Sequence, residues 1–236
     1  MSATEIPYVG NELGLFKSAR NWKAYFSSKI GECISGDVLE VGAGIGVNTE
    51  FIVRAGRGIK SITLLEPDPD QTAQISIQGL NFEGDLSVVT GTIADVSGRY
   101  DSILYIDVIE HIEDAAAELI RAREALKPGG FLIVLVPAYA FLFSEFDRQI
   151  GHFRRYNRKA LRREIPTGMT RRKEFYLDSM GFFASLANRY VLKQSTPTES
   201  NIKFWDKGLI PLSKITDVLT FNQVGKSLIG IYQKTT

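Results

Sequence analysis

The stretch D-V-L-E-V-G-A-G-I-G, residues 37–46, joins a short apolar run to three closely spaced glycines, Gly42, Gly44 and Gly46. Glycines directly after a strand let the backbone turn sharply and approach a ligand closely. Glu66 ends the next predicted strand, at the spacing of an acid that accepts hydrogen bonds from ribose hydroxyls. Together these features predict a nucleoside-containing cofactor, whereas the glycines alone would also fit a turn that serves chain geometry only.

Predicted strands and helices alternate along the first half of the chain. Apolar runs predict strands over 38–41, 61–65, 86–90, 102–106 and 131–136, and helical spacing marks 11–34, 48–55, 70–79 and 113–126. Strands that are apolar throughout suit a parallel sheet covered on both faces, so an α/β doubly wound fold is expected. The pattern weakens after Pro137, where 175–177 and 227–233 are two further candidate strands.

Bulk composition fits an ordinary globular protein. The chain has 236 residues, 44% apolar and 23% charged, enough for one large domain or a domain with an appended subdomain. It contains no run of ~18 apolar residues that could span a membrane, and M-S-A-T-E-I-P-Y at the start lacks the regions of a signal peptide. The single Cys33 excludes an internal disulfide, and two histidines make a histidine-rich metal site improbable. We expect a reducing, cytoplasmic setting and no metal.

Charge is concentrated in one segment. Residues 148–173 carry ten basic side chains against one acid, Glu164, although the net charge of the chain is only +1. Such a cluster predicts an anionic partner.

The glycine spacing leaves two cofactors in competition. A dinucleotide fingerprint requires G-x-G-x-x-G, but the sixth position here is Val47 and the spacing is G-x-G-x-G. A pyrophosphate ligand is therefore less favoured than a ligand whose amino-acid tail lies over the loop.

Four blocks, E-V-G-A-G-I-G, L-L-E-P-D, Y-D-S-I-L-Y-I-D-V-I-E-H-I and L-K-P-G-G-F-L-I-V, occur in this order within residues 38–136. In that order they resemble the class I S-adenosylmethionine-dependent methyltransferases. The resemblance implies a Rossmann-like, seven-stranded and mostly parallel sheet whose last strand is antiparallel, and S-adenosylmethionine as cofactor.

Later stretches are similar to a UbiG-like bacterial branch associated with glycan or natural-product pathways. They are N-W-K-A-Y at 21–25, F-D-R-Q-I-G-H-F-R-R-Y at 146–156, F-W-D-K-G-L-I-P-L-S-K at 204–214 and G-K-S-L at 225–228. We therefore expect one methyltransferase domain over 1–236. Its parts are an N-terminal helical segment (1–35), a cofactor-binding core (36–136), substrate-side loops with an irregular insertion (137–224) and the last strand (225–236).

The resemblance implies roles for the residues at the strand ends. Glu40 would lie near the methionyl amine, although a loop-stabilising role is the alternative, and Glu66 would accept both ribose hydroxyls. Gly42, Gly44 and Gly46 would line the methionine part, Pro67 and Asp68 would border the adenine, and Asp107 would lie near the sulfonium. Many relatives carry an acid after the third strand. Here Thr92 occupies that place and Ile93 follows it, so both are assigned to the adenine.

Two histidines are candidates for proton transfer. By resemblance His111 lies on the acceptor side, and histidine can remove a proton near neutral pH; a capping or packing role is equally open. His152 lies in the basic stretch, where neighbouring arginines would keep it neutral, unless the segment is simply a solvated loop. Arg154, Arg155 and Tyr156 are the predicted substrate-binding residues.

The predicted function is methyl transfer to oxygen or nitrogen of a small, anionic, carrier-linked or lipid-linked molecule. One alternative is a non-catalytic, S-adenosylmethionine-binding regulatory protein. Another is an RNA methyltransferase, although D-V-I-E replaces the N-P-P-Y type of tetrapeptide after the fourth strand, so nucleic acid is disfavoured. A nicotinamide dehydrogenase is the last rival. Peripheral contact with an anionic bilayer is also predicted, through the basic stretch with Phe141, Leu142, Phe143, Phe146 and Phe153.

Overall fold

A single seven-stranded sheet organises the computed structural model, which describes residues 11–76, 80–192 and 197–235. The strands are β1 (Gly36–Val41), β2 (Ile59–Glu66), β3 (Asp85–Thr90), β4 (Tyr100–Ile106), β5 (Leu126–Pro137), β6 (Met169–Leu177) and β7 (Ser227–Lys234). Their order is β3-β2-β1-β4-β5-β7-β6. The first five strands pair in parallel, and β7 is antiparallel to both β5 and β6. The predicted doubly wound, mostly parallel sheet is confirmed.

Helices cover both faces of the sheet. They are α1 (Asn11–Phe16), α2 (Arg20–Ile30), α3 (Thr49–Ala55), α4 (Pro69–Thr72), α5 (Ala115–Ala125), α6 (Glu145–Gln149), α7 (Arg158–Glu164), α8 (Ser179–Ala187), α9 (Glu199–Phe204) and α10 (Ile210–Leu219). Short 3₁₀ turns follow α2, β3, β4 and β5, and π-helical turns occupy Asn188–Leu192 and Trp205–Leu209.

Alternation along the strands divides the core into two layers. Leu39, Ile103 and Tyr105 point to one face and pack with Leu119 of α5 and Leu161 of α7. The neighbouring strand residues point to the other face, where α2, α3, α9 and α10 contribute side chains: Val38, Leu104, Ile106, Phe26, Ile52, Ile202 and Ile210. Each layer buries continuous apolar surface, which supplies the main favourable free energy of folding.

Several boundaries differ from those that the sequence predicts. β6 begins at Met169, six residues before the expected 175, because Arg171, Arg172 and Lys173 form part of an edge strand whose charged side chains reach solvent. The helix expected over 70–79 is the short α4, and residues 77–79 lie outside the described residues. The expectation about the first eight residues also lies outside them.

The segment before the last strand is more regular than expected. Between β6 and β7 the described residues form α8, α9 and α10, and the π-helical turn at Trp205–Leu209 joins α9 to α10 without a break. Asp206 in that turn accepts hydrogen bonds from the backbone N–H of Trp22 at 2.8 Å and of Asn21 at 3.2 Å. A carboxylate far along the chain therefore caps the start of α2, which has no side-chain cap of its own.

Within the ranges that the structure describes, no helix combines the length and the apolar character needed to cross a bilayer.

Asp217 holds α10 against α2 and α8. Its two oxygens accept hydrogen bonds from the Tyr25 hydroxyl at 3.0 Å and from the backbone N–H groups of Asp178 and Ser179, both at 2.8 Å. Asp217→Ala would leave these donors buried without a partner, so we expect the free energy of unfolding in urea to fall by about 3 kcal/mol. Lys207→Ala, at an exposed position of the same continuous helix, should change it by less than about 0.5 kcal/mol. Equal effects of the two substitutions would contradict this assignment.

Candidate active site

The glycine loop after β1 lies against the loop after β4. Gly42, Gly44 and Gly46 have φ of +65°, +57° and +75°, a region that favours glycine. A Cβ on Gly42 would lie 2.6 Å from Cγ2 of Val108, so no side chain fits there. The bare backbone therefore brings the carboxyl ends of β1 and β4 together, at the edge where ligands bind in doubly wound sheets.

Glu40 is buried at the carboxyl end of β1, with 1% of its surface exposed. One carboxylate oxygen accepts a hydrogen bond from Thr49 Oγ1 at 2.8 Å, whereas Oε1 has no partner among the described residues. Burial raises the pKa of Glu40 to about 7. The bond to Thr49 fits the loop-stabilising alternative, and the unpartnered oxygen is available to a cationic donor. The contact of Glu40 with the methionyl amine stays a prediction.

Glu66 ties the end of β2 to the glycine loop. Oε2 accepts a hydrogen bond from the Gly44 N–H at 2.8 Å and Oε1 accepts one from the Asp68 N–H at 3.0 Å. Each carboxylate oxygen has a second lone pair, so two further donors can be accepted. Burial raises the pKa of Glu66, although the two backbone bonds oppose this shift. Pro67 follows Glu66 at an exposed position, and Asp68 caps α4.

The loop after β3 carries the two residues assigned to the adenine. Thr92 forms a capping box with Asp95, whose Oδ2 accepts hydrogen bonds from the Thr92 N–H at 2.8 Å and from the Thr92 hydroxyl at 2.9 Å. Ile93 is buried in the core layer that contains Leu65. Asp95, the acid in this loop, thus accepts hydrogen bonds from Thr92. The sequence pattern assigned Asp95 no role.

Asp107 directly follows β4 and has φ of +54°, an uncommon conformation for a residue other than glycine. Its N–H donates to the Leu135 carbonyl at 2.9 Å, which anchors this backbone to β5. The side chain reaches solvent on one side, but the protein groups around it desolvate the carboxyl and raise its pKa, and Lys226 and Arg155 oppose the shift. A strained acid in a cleft is typical of functional sites.

His111 and His152 lie together, with ring centroids 4.5 Å apart at an interplanar angle of 80°. Burial and the neighbouring His152 lower the pKa of His111 to about 4, against hydrogen bonds to the backbone of Ile150 and Gly151. His111 is therefore neutral, and weakly basic, at physiological pH.

His152 has a partner that the sequence pattern did not reveal. Its Nδ1 lies 2.8 Å from Oδ1 of Asp147, which is fully buried and also accepts from Arg155 Nε at 2.8 Å and Nη2 at 3.0 Å. Burial alone would raise the pKa of Asp147, but the hydrogen bonds from His152 and Arg155 hold it well below its usual range. The sequence analysis considered only the neighbouring arginines, but an acid lies between His152 and Arg155.

Glu110 completes this cluster from the opposite side. Its carboxylate is fully buried, and neither oxygen has a hydrogen-bond partner among the described residues. Burial and the charge of Asp107 raise the pKa of Glu110 well above its usual range. Oε1 lies 3.9 Å from His152 Nε2. Glu110, His111 and His152 place one possible ligand atom each within 4.8 Å of one another, a donor set able to hold a cation, although no metal was expected from the sequence.

The predicted substrate-binding residues point in different directions. Tyr156 is buried and its hydroxyl lies 3.5 Å from the Ile109 carbonyl, so the expected direct contact with an acceptor finds no support in its position. Arg154 donates to the Glu113 carbonyl at 2.6 Å, and Arg155 is paired with Asp147. The basic stretch is partly neutralised, since Arg162 pairs with Glu174 at 2.6 Å and Arg148 with Glu145 at 2.8 Å.

Lys226 is a site residue to which sequence reasoning gave no role. A Cβ on the preceding Gly225 would lie 2.2 Å from the Leu177 carbonyl oxygen, so this glycine lets the chain pass directly over β6. The Lys226 ammonium lies 5.3 Å from the centre of the Trp205 ring. Burial lowers its pKa, against the charges of Asp178, Asp147 and Asp107. The only signal in the sequence is a lysine just before the last strand.

A family model described as a methyltransferase domain matches residues 16–167. The chain belongs to this family, and the predicted methyltransferase class and S-adenosylmethionine cofactor are confirmed at that level. It is 32% identical over 107 residues to a ubiquinone biosynthesis O-methyltransferase of Rhodopseudomonas palustris (strain HaA2), a match that covers 43% of this chain and 40% of that protein. A similar match to the enzyme of Xylella fastidiosa (strain M23) is 29% identical over 99 residues, 41% of this chain and 40% of that protein. The chain thus spans about two fifths of the length of these curated relatives.

The fold is shared with solved methyltransferase structures. A chain from the complex of the Haloferax volcanii Trm112 methyltransferase activator with a methyltransferase superposes with a TM-score of 0.63 at 18% identity. The match covers 97% of this chain and 95% of that one, so the whole described fold is of the same kind.

Gly42 and Gly58 provide a matched test of the glycine cradle. Both have positive φ, +65° and +62°, but a Cβ at Gly58 would meet nothing within 4 Å. Gly42→Ala should therefore cost about 1–3 kcal/mol more in the free energy of unfolding than Gly58→Ala, because it adds overpacking against Val108 to the same backbone strain. Calorimetry should also show weaker binding of S-adenosylhomocysteine by the Gly42 variant alone. Equal losses in both variants would mean that close approach is not what selects glycine at position 42.

Proposed function

We propose that the chain transfers a methyl group from S-adenosylmethionine to an oxygen or nitrogen of a small anionic acceptor, with His152 as the general base. The observation that carries this proposal is the buried carboxylate of Glu40, whose Oε1 has no hydrogen-bond partner in the part of the chain that the structure describes. A buried acceptor without a donor costs free energy, and an ammonium group of a ligand would remove that cost.

In this proposal, the acids at the strand ends contact different parts of the cofactor. The free lone pairs of Glu66 suit a ribose diol, because a carboxylate can accept two hydroxyl donors at once. Glu40 Oε1 suits the methionyl ammonium, Gly42, Gly44 and Gly46 suit the methionine chain, and Asp107 offers negative charge to the sulfonium. We assign Pro67, Thr92 and Ile93 to the adenine, as the sequence resemblance implies.

When bound, the cofactor supplies an electrophilic methyl group attached to a sulfonium. The protein then has to align the acceptor and remove its proton. The bond to Asp147 holds the His152 ring and favours the tautomer with the proton on Nδ1, which leaves Nε2 to take a proton from the acceptor. His111, with its pKa near 4, is the weaker base at neutral pH. We assign it to packing against His152.

The acceptor side offers cations and an aromatic surface. Arg158 lies 4.8 Å from the centre of the Tyr176 ring, but it donates hydrogen bonds to Gln223 and to the Asn222 carbonyl. Lys226 has no ion pair or hydrogen bond to its Nζ among the described residues, unlike Arg155 or Arg162, so we assign the anionic group of the acceptor to it. Tyr139 stacks on Tyr176 with centroids 5.0 Å apart and an interplanar angle of 10°, and Phe182 lies 5.1 Å from Tyr139. Arg154 and Arg155 then act by positioning the loop that carries His152.

The competing functions fit these contacts less well. The sequence already disfavours an RNA methyltransferase, because D-V-I-E replaces the N-P-P-Y type of tetrapeptide after the fourth strand. A non-catalytic binding protein would not require the Asp147–His152 arrangement. The O-methyltransferase relatives favour oxygen as the acceptor atom. Carrier or lipid linkage of the acceptor and a cytoplasmic location stay predictions. The predicted membrane contact through residues 141–153 stays a prediction: Leu142 is buried, whereas Phe141 and Phe153 are 47% and 45% exposed.

Glu66→Gln tests the ribose contact. Replacing one carboxylate oxygen by an amide nitrogen removes a charged acceptor, so affinity for S-adenosylhomocysteine in calorimetry should fall about 10- to 100-fold. Asp70→Asn is the matched control, since Asp70 is exposed in α4, four residues after Glu66, and the substitution should leave affinity unchanged. Tight binding of NAD and no uptake of either S-adenosyl compound by the wild type would overturn the cofactor assignment.

Lys226→Met tests the acceptor assignment, because it keeps the unbranched stem of the side chain and removes the ammonium group. Across a panel of anionic and neutral phenols and amines, release of S-adenosylhomocysteine reports turnover. KM for the anionic acceptors should rise about tenfold or more, the worth of a charge-assisted hydrogen bond. KM for neutral acceptors should stay nearly constant. A uniform change in kcat for both classes would point instead to a structural role.

A further inference from the structure

Helix α10 buries polar side chains and exposes large apolar ones, the reverse of the usual amphipathic pattern. Ser213 and Asp217 are fully buried, and the large apolar side chains on the other side of the helix face solvent. These are Leu212, Ile215, Val218 and Leu219, and Phe221 follows in the next turn. Between 49% and 82% of each of these five side chains is exposed. We call these five residues the α10 face.

Capping explains why polar residues of α10 point inward. Asp217 caps α8, and the Ser213 hydroxyl donates to Asp178 Oδ1 at 2.8 Å while accepting from the Met180 N–H at 3.1 Å. Nothing in this network requires the outward positions to be apolar. Lysine or glutamate at these outward positions would be favourable in water. The apolar residues that occupy them instead recur at helical spacing and form a single stripe. A contiguous exposed apolar stripe of this kind marks an interaction surface.

The turn after α10 holds an aromatic ring in solvent. Phe221 and Asn222 have φ of +52° and +54°, and this turn is fixed by hydrogen bonds from the Phe221 N–H to Val218 at 3.0 Å and from the Asn222 N–H to Asp217 at 2.7 Å. Positive φ is costly for a bulky residue. Phe221 is thus held at the tip of the face rather than folded onto the core.

The surroundings of the α10 face are cationic. The ammonium groups of Lys29 and Lys214 lie 5.3 Å and 5.7 Å from the centre of the same Tyr25 ring, and Lys29, Lys173 and Phe221 line one shallow depression. The only acid of α10 is the buried Asp217.

Two other acids lie near this rim. Glu174 lines the same depression, but its carboxylate is almost fully buried and paired with Arg162 at 2.6 Å. Glu32 is exposed and lies 4.0 Å from Lys173 and from Arg57. Both acids therefore have cationic partners, and the net charge of the rim stays positive.

We propose that the α10 face docks on an anionic lipid bilayer, with Lys29, Lys173 and Lys214 at the headgroups and the five apolar side chains in the interfacial layer. Apolar side chains beside lysines are the combination that binds such surfaces. Two copies of the chain meeting through this face would oppose ammonium groups of like charge over one short helix, a small area for a stable dimer. This inference is independent of which acceptor is methylated.

The test is co-sedimentation of the full chain with phosphatidylcholine vesicles, with and without phosphatidylglycerol, at low and high salt. The wild type should bind the anionic vesicles at low salt and lose binding at high salt. Ile215→Ser/Leu219→Ser and Lys29→Gln/Lys214→Gln should each lower the partition coefficient about tenfold or more. Ile120→Ser is the matched control, because Ile120 is 44% exposed on α5, on the other face of the sheet; it should bind like the wild type.

Urea unfolding of each variant separates loss of binding from loss of fold. Lys29 is half-buried, and the other substituted side chains are exposed. Three results would overturn the proposal. The first is no binding by the wild type to anionic vesicles, and the second is equal binding by the Ile215/Leu219 variant. The third is a dimer in light scattering that the same double substitution dissociates, which would assign the face to a second copy. None of these readouts depends on S-adenosylmethionine, so the proposed methyl transfer would be unaffected.

Discussion

The site depends on acids that the sheet holds out of water at the carboxyl ends of its strands. Glu40 is paired in register with Leu64 of β2 on one side and with Leu104 of β4 on the other, so its carboxylate cannot move away from the apolar core. Burial without a counter-charge penalises ionisation. The free-energy cost of burying this carboxylate does not disrupt the fold, because the register of three parallel strands is fixed by many other contacts. A cationic ligand is the simplest group that would relieve it.

The same principle produces two acids of opposite character around His152. Asp147 is saturated by Ser144, His152 and Arg155 and stays ionised. Glu110 has no donor among the described residues, and burial raises its pKa, although its carboxylate lies only 3.9 Å from the same imidazole. Environments that push the pKa values of neighbouring groups apart are the usual means by which proteins assign acid and base roles. Here the pKa of the acid at Nδ1 is lowered and that of the acid near Nε2 is raised.

The sequence predicts the parts of this site that are local. The glycine loop, Glu40 and Glu66 follow from a strand, a turn and a spacing, and all lie at the expected strand ends. Asp147 could not be found in this way, because it lies just before the basic segment and contacts His152 only once α6 and the loop after it fold back. The start of β6 was missed for a related reason. Arg171, Arg172 and Lys173 show no alternation, since the edge strand places their charges in solvent.

Lys226 and the outer surface of α10 are connected by one buried polar network. The carbonyl of Asp178 accepts from the Lys226 N–H at 3.0 Å, and its carboxylate accepts from Trp205 Nε1 at 2.7 Å and from Ser213 of α10. Trp205 in turn underlies the Lys226 ammonium. The Lys226 ammonium is therefore positioned by a network that includes residues on the inner side of α10. This network places no requirement on the side chains of the outer side. Because the inner constraint is fully met by Ser213 and Asp217, the apolar character of the outer side is a separate property of the sequence. It reflects the environment that this surface meets, rather than a requirement of the fold.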